Sequence, residues 1–395
     1  MSAVLDTLDF TLPEELEAHA PPPGGLHPEG TRLLVAERST GLLTHARLSV
    51  LPALLDPGDL LVVNTTAVLP AAVDAGIVDG VAVRLHWSTA DPAGHGGDGK
   101  DRDAIVELRA ADGPSSRPFA GGYEGLVLNL PGGGRARLRG RAAPGSRLWA
   151  ARLHLPGGRD AYLARHGQPI RYGAGVRVGR AGEQGVGRAG EQWVGRAGEQ
   201  GVGRAGKQEV GRAGKHAAWP LAAAQTVFAR HPGSAESPSA SLAFDDALVS
   251  RLAAAGIGIA PIVLHTGVAS QEEPEPPYAE WFQVAASTAE RVNGARRAGH
   301  RVIAVGTTVT RALESAATPD GIVRAAEGWT EEIIDPCRGV RAIDGLISGW
   351  HEPRASHLAL LEAVAGRSLL ADSYSAALSA GYRWHTFGDL HLVLP

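Results

Sequence analysis

One cysteine, Cys337, stands in 395 residues, which excludes an internal disulfide and a multi-thiolate metal site. That scarcity suits a reducing compartment, and the cytoplasm is the expected location. Long apolar runs are also lacking. The best, Leu358 to Ala365, contains Glu362 and falls well short of the roughly 20 residues a membrane helix needs. Residues 1 to 20 have no lysine or arginine and carry Asp6, Asp9, Glu14, Glu15 and Glu17, the wrong charge for a secretory signal. Several motifs are missing too. There is no His-x-x-x-His on a helix and no Cys-x-x-Cys, so no metal is expected. No phosphate-binding Gly-x-x-x-x-Gly-Lys-Ser/Thr loop, no strand-following Gly-x-Gly-x-x-Gly and no Gly-x-Ser-x-Gly elbow occurs. Phosphoryl transfer, nicotinamide chemistry and α/β-hydrolase chemistry are therefore disfavoured.

What is present describes a globular chain of two domains, 44% hydrophobic and 20% charged. The net charge of −4 is nearly balanced, so any RNA contact must come from a local basic patch. Within residues 1–72, Leu5 to Leu12 alternates loosely up to Pro13. Leu60 to Asn64 (LLVVN) follows the turn Asp56-Pro57-Gly58-Asp59 and reads as a buried strand, with Asn64, Thr65 and Thr66 at its C-terminal end. Residues 73–155 carry short alternating runs at Val81–Trp87, Ala104–Arg109, Gly125–Leu130, Arg135–Arg141 and Leu148–Leu155. Their even spacing predicts a small β-barrel or sandwich. An octapeptide repeat, Val-Gly-Arg-Ala-Gly-x-x-x, then fills residues 176–216. Its glycines oppose helix and strand, and it reads as a disordered insertion or as an RNA-binding tail.

From Trp219 onward the pattern is α/β. Helices are expected at Asp246–Ala255, Thr288–Ala298, from about Val309, at His357–Ala365 and at Ser373–Ala380. Strands are expected at Gly258–Leu264, Arg301–Val305, Ile343–Ser348 and Leu390–Leu394. Three of these strands end in the same way: Leu264-His265-Thr266-Gly267, Val305-Gly306-Thr307-Thr308 and Ser348-Gly349-Trp350-His351. Strand ends that converge on one edge of a sheet are where α/β proteins hold ligands. Each feature alone has an ordinary alternative. Gly306-Thr307-Thr308 also suits a helix cap, and His265 and His351 also suit satisfied structural imidazoles. Arg311 and Glu314 are spaced for a surface ion pair. Trp350 is equally a core aromatic and Asp389 a turn residue.

Taken in order, several segments resemble the S-adenosylmethionine:tRNA ribosyltransferase-isomerases. They are Leu8-Asp9-Phe10-Thr11-Leu12-Pro13, Thr31-Arg32-Leu33-Leu34, Leu43-Thr44-His45 and Pro57 to Thr66 (PGDLLVVNTT). Gln225-Thr226-Val227-Phe228, Pro232-Gly233-Ser234-Ala235, Arg301 to Thr308 (RVIAVGTT) with Arg311, and Tyr382-Arg383 with Gly388-Asp389 continue the series. The resemblance implies a mixed α/β fold. A larger domain with a barrel-like curved sheet (residues 1–72 and 156–395) would carry a small inserted β-barrel (residues 73–155). It implies S-adenosylmethionine as co-substrate. The ribosyl unit would pass to 7-aminomethyl-7-deazaguanine in tRNA, giving epoxyqueuosine with loss of adenine and methionine. His265 and His351 are then the acid/base candidates. Asn64, Thr66, Gly267, Gly306, Thr307, Thr308, Arg311, Glu314, Trp350 and Asp389 are the binding or supporting candidates. A monomer is expected.

The chain also departs from the family pattern. Ala67 and Ala72 replace arginines, Ala243 replaces a histidine, and Glu272 and Glu273 add acid. Lost arginines and added carboxylates disfavour a phosphate-rich partner. Two other readings therefore stand beside tRNA modification: an S-adenosylmethionine enzyme with a different acceptor, and a non-catalytic binding protein on the same scaffold.

Overall fold

The computed structural model describes residues 8–94, 101–111, 117–171, 219–268 and 277–395. Runs such as Leu60–Asn64 and Val302–Val305 are apolar at every position because both faces of their sheet are covered. Leu60 and Val62 point into one hydrophobic cluster, and Leu61 and Val63 into another. The helices Ala286–Arg297, Thr307–Ala316, Ser356–Ala365 and Arg367–Ser379 pack on the first side. Leu51–Leu54 and Asp246–Ala254 pack on the second.

This sheet has nine strands. Its order is Ala326–Thr330, Glu280–Val284, Gly258–Leu264, Leu60–Asn64, Val302–Val305, Gly345–Gly349, Leu390–Leu394, Arg32–Glu37 and Leu43–Arg47. The four strands Gly258–Leu264, Leu60–Asn64, Val302–Val305 and Gly345–Gly349 run parallel. Their C-terminal ends therefore share one edge. The sheet curves into a nearly closed, barrel-like surface within a mixed α/β fold.

A second sheet is antiparallel throughout. Its order is Ala72–Val78, Val81–Ala90, Asp101–Ala110, Trp149–His154, Arg135–Arg141 and Val127–Asn129, with Arg117–Pro118 beside Asp101–Ala110. It closes over its own core of Trp87, Leu108, Leu128, Leu138, Trp149 and Leu153. The helix Arg159–His166 adds Tyr162 and Leu163 to that core. The octapeptide repeat at 176–216 lies outside the described residues. So do Glu272 and Glu273. Among the described residues, no helix is long and apolar enough to cross a membrane.

Some elements differ from expectation. The last helix begins at Arg367, not Ser373, because Gly366 (φ 79°) ends one helix and starts the next without a linker. The strand expected from Ile343 begins at Gly345, since Asp344 accepts a hydrogen bond from the Val302 backbone N–H and turns the chain. The strands Glu280–Val284 and Ala326–Thr330 were not expected. Their sequences, EWFQV and AEGWT, are polar and short, and they form the sheet's antiparallel edge. Residues 8–12 form no strand. Instead the segment that follows them pairs with the C-terminal loop, Ala18 N–H donating to Trp384 O at 3.0 Å.

Candidate active site

The shared edge of the four parallel strands opens into a cavity of about 200 Å³. Its floor is the start of helix Thr307–Ala316. Gly306 precedes that helix with φ 105° and ψ 152°, and no side chain caps it. The first N–H groups of this helix are thus available to an acceptor. Ala355, Ser356 and His357, at the start of helix Ser356–Ala365, line the cavity as well. Two helix N-termini facing one cavity favour a negatively charged group there. Besides His385 Nε2, three buried polar atoms of lining residues have no hydrogen-bond partner among the described residues: Thr266 Oγ1, Thr308 Oγ1 and Trp350 Nε1. Buried polar groups are normally paired, so these atoms suit a polar ligand such as an adenosyl group with its amino-acid tail.

His351 lines the cavity and stacks face to face on His357, centroids 4.6 Å apart. Burial, with His357 adding to it, pushes its pKa down to about 3, so the ring is neutral near pH 7. Ser348 Oγ donates to Gly349 O and lies 3.1 Å from His351 Nε2. The serine oxygen then accepts from Nε2–H, leaving Nδ1 as the basic nitrogen. Next to it, burial works against ionisation of Glu352, but the His385 hydrogen bond outweighs it and holds the carboxyl at about 2. His385 Nδ1 is 2.6 Å from Glu352 Oε1. Burial alone would lower His385, yet Glu17 and Glu352 raise it to about 9.

Also in the lining, Arg311 and Glu280 form a buried ion pair. Burial raises the Glu280 carboxyl above its ordinary value against the pull of Arg311. Glu280 Oε1 accepts from Gly267 N–H at 3.0 Å, and Ser88 Oγ of the second sheet accepts from Val268 N–H at 3.0 Å. These bonds pin the loop after His265.

The structure gathers Gly267, Gly306, Thr307, Thr308, Arg311, Trp350 and His351 around the cavity. The other expected residues lie outside its lining. Asn64 is spent on the scaffold: Nδ2 donates to Leu264 O, and Oδ1 accepts from Leu264 and Thr66 N–H. Thr66 Oγ1 bonds Ser234 Oγ and His265 Nδ1 at 2.7 and 2.9 Å. His265 stacks on Trp281, and burial, with Arg159 and His231 nearby, lowers its pKa to about 4. Glu314 does not pair with Arg311 on a surface. It is buried and accepts from Arg338 Nη1, Arg341 N–H and Ala342 N–H. Asp389 holds Arg32 and the Arg383 N–H rather than facing the cavity. Sequence reasoning missed Glu280, Glu352, His357 and His385. His385 and Glu352 carry no local pattern, and only tertiary contact couples them.

The sequence matches the queuosine biosynthesis protein family over residues 5–106 and 135–393. This chain belongs to the queuosine biosynthesis protein family. Two similar relatives are named S-adenosylmethionine:tRNA ribosyltransferase-isomerase. The one from Moorella thermoacetica is 33% identical, over 99% of each chain. The one from Methylobacterium sp. (strain 4-46) is 34% identical, over 98% of each chain. A solved S-adenosylmethionine tRNA ribosyltransferase from Thermotoga maritima aligns over 98% of this chain and 99% of that one, at 22% identity and a TM-score of 0.48. Of the motif Arg301 to Thr308 with Arg311, the residues Gly306, Thr307, Thr308 and Arg311 line the cavity of this chain.

Proposed function

We propose that this chain transfers the ribosyl moiety of S-adenosylmethionine to 7-aminomethyl-7-deazaguanine in tRNA and isomerises it, with release of adenine and methionine. The observation that carries the reading is the cavity floor. The N–H groups at the start of Thr307–Ala316 meet the unpartnered Thr308 and Thr266 hydroxyls there. The helix N–H groups hold the carboxylate of the amino-acid tail, and the hydroxyls hold the ribose. Trp350 Nε1 donates to an acceptor on the bound nucleoside.

The sulfonium charge of the co-substrate acidifies the neighbouring C5′ hydrogens. In this reading His351 takes up such a proton, supported by its lining the cavity as a neutral ring beside Ser348. His265 is held by Thr66 outside the lining, so we assign it to positioning the Thr266-Gly267 loop. For tRNA, the strand Arg135–Arg141 exposes Arg135, Arg137, Arg139 and Arg141, the local basic patch that a chain of net charge −4 needs. A reaction on tRNA belongs in the cytoplasm. The same reading makes the second sheet, with the helix Arg159–His166 that packs into its core, an inserted domain carrying this patch, and the nine-stranded sheet with its helices the catalytic domain; the inserted unit thus extends past the expected limits of 73–155.

The lining carboxylates Glu236, Glu280 and Glu352 favour a second reading, in which the acceptor is a small amine. Adenine release from S-adenosylmethionine, with and without tRNA bearing the aminomethyl base, separates the two. Release that requires the tRNA supports the first reading. Release without it points to another acceptor or a lyase, and no release in either case removes both. In the tRNA-dependent assay, His351→Ala should lower kcat by about a hundredfold or more, with a smaller loss for His265→Ala. An unchanged kcat in His351→Ala would end the assignment of the base.

A further inference from the structure

We propose that Glu17, His19 and His385 form a binding site for a divalent cation of the zinc class. The site is made where the N-terminal segment lies against the C-terminal loop. Ala18 N–H donates to Trp384 O at 3.0 Å, and Trp384 N–H donates to Leu16 O at 2.8 Å. Glu17 and His19 are two apart on this extended segment, so their side chains leave from the same side. Both reach His385. Glu17 Oε2 is 2.6 Å from His19 Nε2 and 3.5 Å from His385 Nε2, and one ligand atom from each residue falls within 4.8 Å of the others. Ligand atoms at about 2.0–2.2 Å from zinc stand roughly 3–3.5 Å from one another. Small side-chain rotations therefore complete the set.

A second observation points to a ligand. The His385 side chain is 6% exposed, and among the described residues its Nε2 makes no close hydrogen bond, lying 3.5 Å from Glu17 Oε2. Its other nitrogen, Nδ1, is 2.6 Å from Glu352 Oε1. A carboxylate on the far nitrogen is the arrangement that orients metal-binding histidines. The His19 and His385 rings stack with centroids 4.4 Å apart, which brings both Nε2 atoms to Glu17. His385 holds this position with φ 70°, a conformation uncommon outside glycine. Two imidazole nitrogens and one carboxylate suit zinc, cobalt or nickel, whereas magnesium and calcium prefer oxygen donors. No local motif announces the site, because His385 is distant in sequence from the other two ligands. A bound cation would fasten the N-terminal segment to His385 and Glu352, which line the cavity.

The test uses the purified full-length chain, stripped with chelator, incubated with zinc chloride and desalted. Bound zinc is measured by mass spectrometry and the melting temperature is recorded with and without zinc. The chain should retain a single zinc ion and melt at a higher temperature with it. Glu17→Gln and His19→Gln, both at partly exposed positions, should lower retention by about tenfold or more and abolish the shift. Their metal-free melting temperatures should stay close to the parent value. Failure of the parent chain to retain zinc would overturn the proposal, as would equal retention in both variants. A loss confined to Cys337→Ser, at the exposed thiol, would assign the zinc to that cysteine and overturn it as well.

Discussion

Glu314 and His391 are buried polar side chains with opposite circumstances. Glu314 is 2% exposed and satisfies Arg338 and two backbone N–H groups at 2.7–2.8 Å. Removing it leaves two backbone amides unpaired and takes from Arg338 its buried carboxylate, with Glu332 remaining as its other partner. Glu314→Ala should therefore cost about 3–5 kcal/mol in urea unfolding, and Glu314→Gln less, since its amide oxygen still accepts. His391 is fully buried, stacks on Trp350 with centroids 4.9 Å apart, and neither ring nitrogen has a hydrogen-bond partner among the described residues. Burial pushes its pKa down to about 3. A histidine lowered in the folded state binds its proton more readily when unfolded. Its neutral-state stability is complete above about pH 6.5 and is lost as the pH falls toward 3. His265, lowered to about 4, has the same sign. The melting temperature should drop between pH 7.5 and pH 5, and His391→Phe should make that drop smaller. An unchanged drop would mean that other groups control it.

The strand-turn-helix units were legible as elements because their signals are local. Gly258–Leu264 and Leu390–Leu394 fall where the apolar runs place them. The turn at Gly306 was legible too, and its chemistry follows from backbone geometry. With φ 105° and ψ 152°, Gly306 occupies a region that other residues reach only at a cost of about 1–3 kcal/mol. A Cβ there would meet only ordinary contacts, 3.5 Å from Thr308 Oγ1 and 3.7 Å from Ala240 Cβ. The strain of Gly306→Ala would thus fall on the backbone that presents the helix N–H groups. This variant should weaken S-adenosylmethionine binding in calorimetry by more than its loss of stability explains. The strands Glu280–Val284 and Ala326–Thr330, at one end of the sheet, were not legible. They are short and half polar, and their pairing partners are decided by the sheet rather than by their own sequences.

At the scale of the whole molecule, two separately cored sheets meet at the site, where Ser88 of the second sheet accepts from the loop after His265. The exposed arginines of Arg135–Arg141 lie on that second sheet. If they hold tRNA, Arg135→Glu with Arg137→Glu should weaken tRNA binding without changing S-adenosylmethionine affinity. The slope of log K against log salt should also shrink, by roughly one unit or less for each phosphate that is no longer neutralised. An unchanged tRNA affinity would move the RNA elsewhere. The sequence by itself determined the α/β class, the apolar strands and the Gly306-Thr307-Thr308 turn, because periodicity and glycine act within a few residues. Only the tertiary structure decided that Arg311 pairs with Glu280, that Glu314 and Asp389 serve the scaffold, and that His385 meets Glu17, His19 and Glu352. Those pairings join residues far apart along the chain, and it is burial beside a particular partner that sets their charge and their role.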